Sequence, residues 1–180
     1  MSDILKENFE NKQVKEFDIP QIATIEFSGL EKNQLKSDLI GSSLLFLILL
    51  IVLTLLSYVF KLDFFNENAL YLYTGIVVLF GLISLFTYYA FFKKSYALRE
   101  KDVIFNKGLF WKSSTIIPFN RVQHCEVNVG PIDKLFGLAE LKIFTAGGSA
   151  SDLSIEGLTP ATAQRISDYI IGKASVDEEE

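Results

Sequence analysis

The side chains best suited to chemistry in this sequence are His124 and Cys125, its sole histidine and sole cysteine, which are adjacent. A Cys–His nucleophile pair needs a third group to orient the imidazole, and a zinc site needs several ligands converging on one point. Neighbours on an extended strand instead point to opposite faces of a sheet. The pair therefore reads as two strand residues, and no catalytic, cofactor-binding or metal-ligating residue is assigned. Ala146-Gly147-Gly148-Ser149 is glycine-rich, but it lacks the Gly-x-x-x-x-Gly-Lys spacing and joins two strands, so it reads as a hairpin turn rather than a phosphate cradle.

What remains are cations and polar surface residues. Lys93, Lys94, Arg99, Lys101, Lys107 and Lys112 follow closely on one another, and each could gain about 1 kcal/mol near anionic lipid. They are the candidate lipid contacts, although the same charges would also serve to orient membrane helices. Asn120-Arg121-Val122-Gln123 leaves a turn and enters a strand, where a period of two puts Arg121 and Gln123 on one face. That face meets either a partner or water. Nucleic acid is not an expected partner, because residues 93–176 hold eleven Lys/Arg against eight Asp/Glu, a net +3, and the chain has one tryptophan. These supply neither a basic stripe nor a stacking platform.

The elements that must position these residues begin in the membrane. The 180 residues are 49% apolar with a mean hydropathy of +0.29, which suits one folded module with added lipid-facing surface. Residues 41–60 contain 20 uncharged positions, fourteen of them Leu, Ile, Val or Phe, enough to cross about 30 Å of hydrocarbon as a helix. Residues 69–92 form a second uncharged run with Tyr71, Tyr73, Tyr88 and Tyr89 toward its ends, where amphipathic rings settle among headgroups. A signal peptide is disfavoured, since the first run is too long and its leader is acidic. Lys32 and Lys36 precede the first span, Lys61 alone lies between the spans, and Lys93, Lys94, Arg99 and Lys101 follow the second. This distribution predicts an antiparallel hairpin with both termini cytoplasmic. Thr54, Ser57 and Gly75 fall at similar depths and are expected to let the helices approach closely. No Asp, Glu, Lys, Arg or His lies inside either span, so transport or ion conduction has little support.

After about Lys94 the pattern changes to short alternating runs. Ser95–Arg99, Asp102–Asn106, Phe110–Pro118, Val122–Val129, Leu141–Thr145 and Asp152–Ile155 read as strands, and Thr159-Pro160 caps a helix running to Gly172. The predicted fold is α+β: a transmembrane hairpin (41–92), then an antiparallel barrel closed by one helix (93–173), preceded by a cytoplasmic segment (1–40) and followed by an acidic tail (174–180). Leu135-Phe136-Gly137-Leu138 is expected to pack a short connection onto the barrel. Residues 1–18 are polar and expected to be flexible, whereas Ile19 to Phe27 alternates and either adds an edge strand or lies on the interface. One cysteine cannot form an internal disulfide, so packing must hold the module together.

Five motifs appear in order: Tyr96-Ala-Leu, Asn106-Lys-Gly-Leu, Ile117-Pro-Phe-Asn-Arg-Val-Gln, Gly130-Pro-Ile-Asp-Lys-Leu-Phe-Gly-Leu-Ala and Thr145-Ala-Gly-Gly. In these the chain resembles the bacterial pleckstrin-homology-like membrane family, the YdbS-like or DUF304 group. The resemblance implies a PH-like barrel on the bacterial inner membrane, no cofactor and no catalysis. It also implies a place beside a longer multi-repeat relative, with envelope maintenance as a family-level role. The expected function is a non-enzymatic interaction module that binds another membrane protein or itself. The alternative is a sensor or binder of anionic lipid at the inner leaflet. The closely spaced basic loop of phosphoinositide-binding PH domains is missing, so headgroup recognition is not carried over from the resemblance.

Overall fold

The computed structural model describes residues 25–60, 68–146 and 152–177. Residues 1–24, 61–67, 147–151 and 178–180 lie outside these, among them most of the Ala146-Gly147-Gly148-Ser149 stretch expected as a hairpin turn. Helix α1 (Lys32–Phe60) has 29 residues and reaches about 43 Å, well beyond the hydrocarbon thickness. It begins nine residues before the predicted span, so residues 32–40, expected within the N-terminal segment, continue the same helix. Helix α2 (Ala69–Phe91) agrees with the second predicted span to one residue. Both are long and apolar enough to cross a membrane, and they present Leu45, Val59, Leu70 and many similar side chains outward, as lipid-facing surface requires.

Side-chain contacts, more than small residues, set the hairpin register. Phe46 stacks on Phe80 at 4.3 Å between ring centroids, and the Thr54 hydroxyl lies 3.0 Å from the Tyr73 hydroxyl. Thr54 also donates back to the Leu50 carbonyl at 2.8 Å, so its polar group is satisfied within the bilayer. Gly75 has open space where a side chain would be and is not a point of close approach, contrary to the expectation from sequence.

Six strands follow α2 in the predicted order. Strands β2 (Ser95–Leu98), β3 (Asp102–Lys107) and β4 (Ser113–Pro118) form an antiparallel meander, extended at the β2 edge by a two-residue β1 (Ser28–Gly29). Strand β1 begins just after the alternating stretch Ile19 to Phe27, of which residues 19–24 lie outside the described residues. After a 3-10 turn (Phe119–Arg121), β5 (Val122–Asn128), β6 (Ala139–Thr145) and β7 (Leu153–Leu158) make a second antiparallel sheet. A short helix α3 (Pro131–Leu135) interrupts the β5–β6 connection, and α4 (Pro160–Asp177) closes the module. The core gathers Val103, Phe105, Ile117 and Phe119 from one side, Leu141, Ile143 and Ile155 from the other, and Ala163, Ile166 and Ile170 from α4. The predicted cap holds: the Thr159 hydroxyl accepts the Thr162 amide at 3.1 Å, with Pro160 at the first helical position. Helix α4 continues through Gly172 to Asp177, so residues 174–177 are helix rather than tail. Leu135 is also corrected, since it is 81% exposed while Leu138 is the buried member of that connection.

The early turns of α1 lie against the module. The Glu31 amide donates to the Gly157 carbonyl at 2.9 Å, Gln34 and Ser37 are each only 5% exposed, and the Ser37 hydroxyl donates to Asp133 Oδ1 at 2.6 Å. Gly157 has φ +68°, and a Cβ there would come within 2.9 Å of the Gln34 Cβ. An L-residue costs about 1–2 kcal/mol in that conformation before any overlap is counted. Gly157→Ala is therefore expected to lower the melting temperature of the full chain in detergent by about 3 °C or more. A melting temperature equal to the native one would show that the close approach is dispensable.

Candidate functional site

The six cations singled out from sequence divide into groups. Lys93, at the end of α2, lines one open pocket of about 410 Å³ together with Lys107 and Lys112. Ser95, Asn106, Ser113 and Ser114 complete most of its wall, and no carboxylate is among its lining residues. In the adjoining strand ends Ser95 lies opposite Asn106, Asn106 opposite Ser114, and Lys107 opposite Ser113. Cross-strand partners share a face and successive residues alternate, so Ser95, Asn106 and Ser114 form one row while Lys107 and Ser113 lie on the opposite face of the strand ends.

The other three cations are elsewhere. Lys94 donates to Glu156 Oε2 at 2.8 Å and ties the end of α2 to β7, a partly exposed pair worth about 0–1 kcal/mol. Arg99 pairs with Asp102. Arg99 and Lys101 belong to the β2–β3 turn, about 20 Å along β3 from Lys107 at a rise of roughly 3.3 Å per residue.

Arg121 and Gln123 are both exposed, but the alternation that would put them on one strand face is broken. Arg121 ends the 3-10 turn, where its carbonyl accepts the Ala146 amide at 3.2 Å, and a register shift falls between Val122 and His124. They mark a corner between the two sheets rather than a strand face.

His124 and Cys125 do point apart. The exposed imidazole stacks on Phe144 at 4.3 Å between centroids and 11° between planes, while Cys125 packs against the core. Among the described residues, no group of three or more His, Cys, Asp or Glu is placed to hold a metal ion. Burial pushes the Cys125 thiol up to about 11, only partly offset by a hydrogen bond with Ser167.

The β3–β4 connection departs from the expectation of one strand over Phe110–Pro118. Phe110 and Trp111 were assigned to the strand, yet β4 starts only at Ser113 and both rings project outward, 75% and 88% exposed. Phe110 stacks against Phe86 of α2 at 6.1 Å between centroids. Alternation alone cannot separate side chains meant for a barrel interior from side chains meant for lipid, because both surroundings are apolar.

A membrane helix pair carrying two antiparallel sheets and a closing helix defines a membrane-tethered PH-like protein. The chain belongs to the family described as Bacterial PH domain, which matches residues 20–174. It is similar to the UPF0699 transmembrane protein YdbS of Bacillus subtilis strain 168, with 34% identity over 85 residues, 47% of this chain. It spans about half the length of that relative, 52% being covered. Among solved structures it is similar to a DUF1696 family protein with a pleckstrin-homology domain from Shewanella loihica PV-4. That likeness has 19% identity and a TM-score of 0.37, and covers 47% of this chain and 73% of the other.

The raised thiol makes a measurable claim. A higher pKa means less thiolate at a given pH, so alkylation of Cys125 near pH 8 should be about 100-fold slower in the folded chain than in denaturant. The folded rate should climb about tenfold per pH unit until near 11. Equal rates in the two states would show the thiol to be solvated.

Proposed function

We propose that this chain is a non-enzymatic, membrane-anchored interaction module, a subunit that presents a PH-like barrel in a fixed pose to other components of the bacterial inner membrane. The observation that carries this reading is the tie between membrane helices and barrel. The Glu31 amide bonds Gly157 and Lys94 bonds Glu156 on β7, Gln34 lies beside Gly157, and Ser37 bonds Asp133 of α3. A barrel on a loose tether would need none of these contacts, whereas a docking surface benefits because less orientational freedom is lost on association.

The distribution of Lys and Arg supports a cytoplasmic position for the barrel and for both termini. The partner is another membrane protein, such as a longer PH-like relative, or a second copy of this chain. The docking face centres on the corner formed by β4, the 3-10 turn and β5. There Arg121 and Gln123 are exposed, Ile116 is 45% exposed, and β4 and β5 each end a sheet. Edges of this kind accept an added strand or a complementary surface.

Photoreactive residues at Arg121 and Gln123, activated in intact membranes, test the assignment by mass spectrometry of the adducts. Reproducible capture of one membrane protein, or of a second copy, is the expected result. Capture of lipid alone would move the function to the bilayer surface, and no adduct at either position would remove this corner as the docking face.

A further inference from the structure

The β3–β4 connection, Gly108-Leu109-Phe110-Trp111-Lys112, has no role in the barrel core, and its shape is costly to build. Gly108 has φ +107°, and a Cβ there would overlap the Trp111 carbonyl oxygen at 1.9 Å. Only glycine permits the tight turn that directs Phe110 and Trp111 away from the sheet. Phe110 reaches Phe86, which lies five residues inside the end of α2 and two residues deeper than Tyr88. Along a helix that is about 7 Å below the exit of α2. The loop tip therefore lies level with the membrane-spanning part of α2, beyond the aromatic belt of that helix.

Behind the tip lies the pocket of Lys93, Lys107 and Lys112, whose wall also includes Ser95, Asn106, Ser113 and Ser114. Apolar and aromatic side chains at the tip with lysines immediately behind match the order of zones met on entering a leaflet, acyl chains first and anionic headgroups next. Neither feature alone would fix this assignment; the Phe86 contact places both at one interface.

We infer that the β3–β4 loop is a membrane-inserted wedge and that the three-lysine pocket behind it binds the phosphate of an anionic phospholipid in the leaflet on the barrel side. The wedge seats Leu109, Phe110 and Trp111 about 5–10 Å into the boundary between headgroups and acyl chains. Lys93, Lys107 and Lys112 neutralise the headgroup, and the serine and asparagine side chains supply neutral donors to its oxygens. The inference rests on the membrane-anchored reading, but not on any protein partner.

Trp111 is the only tryptophan in the chain, so its fluorescence reports the wedge directly. The full chain is placed in nanodiscs of phosphatidylcholine with phosphatidylglycerol, with and without bromine on the acyl chains near the headgroup. The expected result is emission shifted to the blue of free tryptophan and quenched about twofold or more by the brominated lipid, as an inserted ring requires. Emission matching free tryptophan, without quenching, overturns the wedge. A Trp111→Phe chain carrying Leu47→Trp is the control: loss of quenching there means the spans themselves are not in the bilayer, a separate failure.

The pocket is tested by counting phosphatidylglycerol retained after purification, using native mass spectrometry. Lys107→Gln with Lys112→Gln should lower retention about fivefold per lysine, with an unchanged melting curve. Retention equal to that of the unaltered chain overturns the headgroup site. So does displacement of the lipid by millimolar inorganic phosphate, which would make the pocket a site for the free anion.

Discussion

A single continuous helix passes from lipid into contact with a β-barrel, and the rest of the structure depends on how that passage is made. Helix α1 leaves the bilayer without a hinge and lays Gln34, Ser37 and Asp38 against β7 and α3. A bulky apolar stripe would hold the two apart. A polar stripe works because its groups are paired: Gln34 donates to Asp38 at 2.8 Å, Ser37 donates to Asp133, and the Glu31 amide uses the free edge of β7. Gly157 supplies the room, its backbone adopting a conformation in which a side chain would strike Gln34.

Once α1 is fixed this way, the remaining geometry is constrained. The Phe46–Phe80 stack and the Thr54–Tyr73 contact set α2 beside α1, which places Lys94 next to Glu156 at the same joint. Strand β2 starts at Ser95, immediately after, so sheet orientation is inherited from the membrane hairpin. The strand ends nearer α2 then carry Lys107 and the projecting Phe110–Trp111 loop, while Arg99 and Lys101 are carried to the far end of β3. Anchoring, barrel pose and the composition of the membrane-facing surface are consequences of one packing arrangement.

Much of this was legible in the sequence because lipid imposes a blunt requirement. A span must be long, apolar and uncharged, and a helix capped by Thr159-Pro160 announces itself. The extension of α1 was not legible, since its contact stripe is polar and carries no hydropathy signal. Helix α3 reads as a connection for want of length, and Gly137 just after it has φ +65°, a conformation that other residues resist. Of the cations, proximity in sequence groups six, whereas the fold brings only Lys93, Lys107 and Lys112 to one pocket. Arg121 and Gln123 are exposed on either side of buried Val122, but the 3-10 turn and register shift that put them at a corner leave no mark on a period of two. Phe110 and Trp111 were placed in a strand because an apolar pattern does not say which apolar surroundings it is for.

The central claim is that hairpin and barrel form one rigid unit. Spin labels at Tyr58, near the far end of α1, and Lys173, on α4, in a Cys125→Ser background would test it by pulsed dipolar distance measurement in nanodiscs. Tyr58 lies about 36 Å along the helix from Gln34, so even small swings at the joint would be magnified at the label. A single narrow distance distribution is the predicted result. A broad one would mean that the barrel swings on its tether, and the account of a fixed pose would fail.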